Sequence, residues 1–154
     1  MPAESPSRPA IPAGPQGLRG PALVLFAAIL ALGAALRLDQ FTLQVLLDDE
    51  WHAVHQILRR GPASIVLELG HADFGIPLAL YDWALVQTVG LSETAMRVPM
   101  MLCGLATIVL FPLAVARRIG RAEALAFALL LATSPLLVAF SQVARPYAIN
   151  VFLG

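Results

Sequence analysis

Asp48-Asp49-Glu50-Trp51-His52 (DDEWH) interrupts a chain of 154 residues that is 58% hydrophobic and only 13% charged. The run lies inside residues 39–97, which hold eight of the ten acidic residues: Asp39, Asp48, Asp49, Glu50, Glu68, Asp73, Asp82 and Glu93. All three histidines (His52, His55 and His71) are there too. Strongly apolar sequence flanks this segment on both sides. A soluble domain usually carries about 25% charged residues, and the mean hydropathy of +0.77 is far from that class. The DDEWH segment therefore reads as a loop between membrane spans, which makes the chain an all-α integral membrane protein whose solvent is the lipid bilayer.

Working outward, Pro21 to Leu36 reads PALVLFAAILALGAAL and is closed by Arg37 and Leu38. These residues, 21–38, are long enough to span a hydrocarbon core of about 30 Å if Arg37 snorkels. Arg19 ahead of an apolar core also fits a cleaved signal peptide. The long proline-rich lead and the lack of a small-residue cleavage site favour a retained helix. Residues 1–20, crowded with prolines, read as a disordered cytoplasmic tail. On the other flank, residues 98–116 and 122–140 read as two further spans, the last interrupted by Ser134-Pro135. Residues 147–154 read as the start of another helix, so the chain reads as a fragment of a longer protein.

Within the loop, residues 48–60 (DDEWHAVHQILRR) place Trp51, Val54, His55 and Leu58 at three- and four-residue spacing, which predicts a short amphipathic helix along the membrane surface. Residues 63–75 are expected to be a loop. Ile76 to Gly90 is apolar but short, and it carries Asp82 mid-segment, so it reads as a second interfacial or re-entrant helix. All ten basic residues are arginines. Arg8 and Arg19 precede the first span, while Arg117, Arg118 and Arg121 lie between the later two. With three spans both groups fall on the cytoplasmic side, and the acidic loop faces outward together with Arg145.

A net charge of zero and the absence of a basic patch exclude nucleic acid as a partner. The single cysteine, Cys103, reads as a small buried hydrophobe. Asp49 and Glu50 are adjacent and point about 100° apart on a helix. That arrangement suits one carboxylate acting as a general base beside a second that positions substrate, although it also suits ordinary helix-start acidity. Asp48, Asp49, Glu50, His52 and His55 together have the donor types for a divalent cation such as Mg or Mn, without the spacing of a structural zinc site. His71 and Asp73 carry a weaker loop signal. Arg145 and Tyr147 flank Pro146 at the outer end of the last complete span, where a guanidinium fork matches phosphate oxygens and also serves as an interface anchor. Asp82 and Glu123 as intramembrane charges of a transporter component form a further reading, though both lie near expected span ends.

Four motifs occur in a fixed order: Asp49-Glu50-Trp51-His52, the segment His71-Ala72-Asp73-Phe74-Gly75-Ile76-Pro77-Leu78, the lead Gly90-Leu91-Ser92-Glu93-Thr94-Ala95-Met96-Arg97-Val98-Pro99, and Ser141-Gln142-Val143-Ala144-Arg145-Pro146-Tyr147. Over residues 20–154 the chain resembles the amino-terminal part of the polytopic glycosyltransferases that use polyprenyl-phosphate-linked sugars, the dolichyl-phosphate-mannose protein mannosyltransferase-like or GT-C superfamily. The second motif departs from the family by lacking its proline pair, which leaves His71 without a carried-over role. The resemblance implies a GT-C type helical bundle with juxtamembrane helices in the first extracytoplasmic loop. It implies Asp49 as catalytic base, Glu50 with Asp48 and His52 in the acceptor or metal region, and Arg145 and Tyr147 near the donor phosphate. The implied reaction moves a sugar from the lipid carrier to an extracytoplasmic lipid, glycan or protein at a bacterial inner membrane. A non-catalytic membrane scaffold, or a truncated fragment of such an enzyme, is the competing expectation.

Overall fold

Glycine and proline mark where helices start, stop and bend in this chain. The computed structural model describes residues 18–39, 41–43, 50, 54, 55, 58, 62–67 and 75–154. Its helices are α1 (Pro21–Leu38), α2 (Pro62–Leu67), α3 (Ile76–Gln87), α4 (Glu93–Ile119), α5 (Arg121–Thr133), α6 (Pro135–Gln142) and α7 (Tyr147–Leu153). Most of the expected disordered tail, residues 1–17, lies outside the described residues.

Two helices, α1 and α4, are long and apolar enough to cross a membrane, and α5 with α6 meets the same test as a pair bent by 54°. Pro21 in the first turn of α1 follows Gly20 at φ 57°, a left-handed position that glycine adopts without strain. One face of α1 (Phe26, Ile29, Gly33 and Arg37) is buried, while Leu23, Val24, Leu25, Leu32 and Leu36 face outward. The buried face meets a strip of alanines on α5, where Ala128 and Ala132 pack against Phe26 and Ile29. A Cβ on Gly33 would stand only 3.0 Å from Ala132 Cβ. Close approach of small residues is how helices bind one another in lipid, where burial of apolar surface offers no preference.

Helix α4 is the central post and packs against α1, α3, α5, α6 and α7. It begins before the expected span: Ser92 caps it by accepting a bond from the Ala95 amide at 3.1 Å, so Arg97 and Pro99 lie within the helix and not in a lead ahead of it. Its last turn carries Arg117 and Arg118, and Gly120 at φ 115° turns the chain into α5. On the other flank α3 lays Leu78 against Met100 and Ala148, and Leu85 against Met96, Ala144 and Val54.

Proline inside a helix leaves the carbonyl four residues earlier without its amide donor. Two such carbonyls are met here by side chains from other elements. Pro99 orphans Ala95, whose carbonyl accepts the Tyr81 hydroxyl of α3 at 2.9 Å. Pro135 orphans Leu131, whose carbonyl accepts from Arg37 at 3.0 Å. Arg37 also donates to the carbonyls of Ala132 and Gly33, both at 3.0 Å. The expected snorkelling is replaced by burial, because the broken end of α5 offers the Arg37 guanidinium carbonyl acceptors inside the fold. In return Gln142 at the end of α6 reaches the carbonyls of Leu36, Arg37 and Asp39, closing the end of α1.

The sequence predicts a loop over residues 63–75, whereas the structure forms α2 across the first part of it. Pro62 suits the helix start, and Ile65 gains burial against Ala79 of α3.

Candidate functional site

The polar centre of the fold is a buried ion pair. Glu50, in helical backbone, and Arg97, in the second turn of α4, are both buried. Arg97 Nη2 lies 3.0 Å from Glu50 Oε2 and Arg97 Nε 3.3 Å from Oε1, a two-pronged contact in which the guanidinium fork matches the carboxylate. Glu50 Oε1 also accepts the backbone amide of Ala144. That amide belongs to the short irregular link between α6 and α7, where helix bonding is interrupted and an external acceptor is needed. Val54, one turn beyond Glu50, buries itself among Leu85, Met96 and Ala144. Three segments far apart in sequence thus converge on one carboxylate.

Glu50 is committed on both oxygens, and Arg97 already balances its charge. These contacts make Glu50 a fastener of this end of the bundle, joining its own segment to α4 and to the link between α6 and α7. Among the described residues no three of His, Cys, Asp or Glu come together. Asp48, Asp49, His52, His71 and Asp73 lie outside the described residues. Asp49 is nevertheless the chain neighbour of the anchored Glu50, with about 3.8 Å between their Cα atoms. Arg145 stands in the same relation to the anchored Ala144. Fixing Glu50 to Ala144 therefore fixes the backbone beside Arg145.

Arg145 is half-buried, and Tyr147 is 40% exposed, with its ring 4.9 Å from that of Phe140 and tilted against it. The turn between them is held by the Arg145 amide on the Val143 carbonyl at 2.8 Å and the Tyr147 amide on the Arg145 carbonyl at 2.7 Å. Pro146 also meets the start of α3, since a Cβ on Gly75 would lie 3.3 Å from Pro146 Cγ. His55 is exposed.

Sequence reasoning passed over Arg97, Gln142 and the burial of Asp82. Asp82 is 1% exposed, and neither carboxylate oxygen has a hydrogen-bond partner among the described residues. It sits between Leu78 and Leu85 on the packed face of α3, and burial raises its pKa from the usual 3.8 to about 7. Tyr81 beside it is also raised, first by burial and then by the Asp82 charge. The rule that an arginine inside an apolar helix pairs with something would have singled out Arg97. Comparison with known proteins finds no match among family models, curated proteins or solved structures.

Proposed function

We propose that this chain forms the amino-terminal part of a GT-C type membrane glycosyltransferase that uses a polyprenyl-phosphate-linked sugar. The observation that carries the reading is the junction at Glu50. The carboxylate of the Asp49-Glu50 motif binds the arginine of the Gly90-to-Pro99 motif and the backbone of the Ser141-to-Tyr147 motif. Three motifs noticed separately in the sequence are physical partners, which is what a common site requires.

In this reading the amino terminus is cytoplasmic, the junction faces outward, and the membrane is a bacterial inner membrane. Asp49 takes the proton of an extracytoplasmic acceptor hydroxyl. The acceptor oxygen bonds the anomeric carbon as the bond from that carbon to the lipid phosphate breaks, and the electron pair leaves with the phosphate. Arg145 and Tyr147 hold that departing phosphate, where preorganised charge is worth most. The Glu50–Arg97 pair keeps the two halves of the site in register.

The test uses membranes expressing the protein from its full open reading frame, supplied with a panel of radiolabelled polyprenyl-phosphate sugars. Product that falls by at least about a hundredfold in Asp49→Asn, at unchanged protein level, supports the reading. Product that persists removes Asp49 as the base. The second reading is a non-catalytic membrane scaffold, favoured by the commitment of Glu50, Arg37 and Gln142 to joining helices; no product from any donor would favour it.

A further inference from the structure

Arg37 presents five N–H groups. Both protons of Nη1 and one of Nη2 go to the carbonyls of Gly33, Ala132 and Leu131. Its Nε–H is buried and has no partner among the described residues. The residue lines a pocket with room for a single water-sized molecule, formed with Gly104 and Thr107 of α4, Phe140 and Ser141 of α6, and Ala148 of α7.

The two hydroxyls of this pocket decide what it takes. Ser141 Oγ donates its proton to the Leu137 carbonyl at 2.8 Å, and Thr107 Oγ1 donates to the Cys103 carbonyl at 2.8 Å. Each hydroxyl oxygen is therefore left with lone pairs to offer and no proton. The absence of a side chain at Gly104 keeps the space open, since a Cβ there would fall 2.0 Å from Ser141 Oγ and 3.4 Å from Arg37 Nε. The pocket thus offers one N–H donor and two hydroxyl acceptors.

We propose that this pocket binds one structural water molecule, which accepts the Arg37 Nε–H and donates to Ser141 Oγ and Thr107 Oγ1. Water has the matching complement of one acceptor site used and two protons given, and buried waters typically make about three hydrogen bonds. An anion is the obvious rival for a buried guanidinium, but here it would face the lone pairs of both hydroxyls. The guanidinium charge is already met by the carbonyl ends of α1 and α5, the negative poles of those helices. The water joins α1, α4 and α6 directly beneath the link that carries Ala144.

The test is solid-state NMR on the full protein in lipid bilayers with ¹⁵N-labelled arginine, the Arg37 signal being assigned by its loss in Arg37→Lys. Magnetisation transfer from water to the Arg37 Nε–H is expected, and Thr107→Val combined with Ser141→Ala should abolish it. A Nε–H that receives no transfer overturns the proposal, as does a Nε shift that changes when chloride is exchanged for bromide. The same double variant provides an independent measurement. Removing the acceptors of a bound water should lower Tm by at least about 2–4 °C, as the loss of one buried hydrogen-bonding group does in a chain of this length. An unchanged or raised Tm means that the pocket is dry.

Discussion

Glu50 and Arg97 show how a residue's neighbours set its role. A carboxylate and a guanidinium taken out of water each cost several kcal/mol, and the cost is met only when both are present and further bonded. Here the Ala144 amide completes the set. Glu50→Gln removes the negative charge from this buried two-pronged contact and is expected to destabilise the protein by about 3–5 kcal/mol. Arg97→Met should cost a similar amount by stranding the carboxylate. Glu50→Gln and Arg97→Met together should cost much less than the two single changes added, as measured by denaturation in detergent. Additive losses would mean that the two side chains act independently.

Among the elements, the bends are tied from outside. Tyr81 lies on α3 and the carbonyl it serves on α4, so this single bond helps dock α3 onto the central post. Tyr81→Phe strands the Ala95 carbonyl and is expected to cost about 1–3 kcal/mol. Pro99→Ala restores the amide that belongs to that carbonyl, so in this background Tyr81→Phe should cost well under half as much. Equal losses in both backgrounds would break the link between the proline and the tyrosine. The bounds of α1 were readable because a long apolar run follows a start signal at Pro21, whereas the start of α4 was placed too late because its first turns, capped by Ser92, carry Glu93 and Arg97 and lie outside the apolar run. The helix α2 was missed because its burial comes from Ala79 on α3, a contact invisible to local pattern. The burial of Arg37 was missed for the same reason, although Pro135 already announced an orphaned carbonyl at Leu131.

For the whole molecule, Asp82 sets how stability responds to pH. Its pKa is raised by burial to about 7 in the folded state. Between about 4 and 7 the folded protein keeps a proton that the unfolded chain has released, so stability falls as pH rises through that window and levels off above it. Asp82→Asn should flatten this slope and stabilise the protein at pH 8 by on the order of a few kcal/mol. Melting curves at pH 5 and pH 8 decide the matter; a slope that survives the substitution would point to another group. The all-α class and the existence of the three apolar helical regions were legible from composition and run length alone. The junction was only half legible: the sequence marked its three motifs but not that Glu50 would be their meeting point, because Glu50 and Arg97 stand 47 positions apart with no local signal of contact.

The mutual closure of α1 and α5 has a consequence for how the protein is made. The acceptors that bury Arg37 are 94 and 95 residues further along the chain. Until those segments are in place, Arg37 has only the Gly33 carbonyl of its own helix, and a buried guanidinium with few acceptors is costly. The end of α1 is therefore expected to reach its buried position only once α5 has docked. Gln142 then closes an end that α5 has already secured, so α1 is expected to settle late among the described helices.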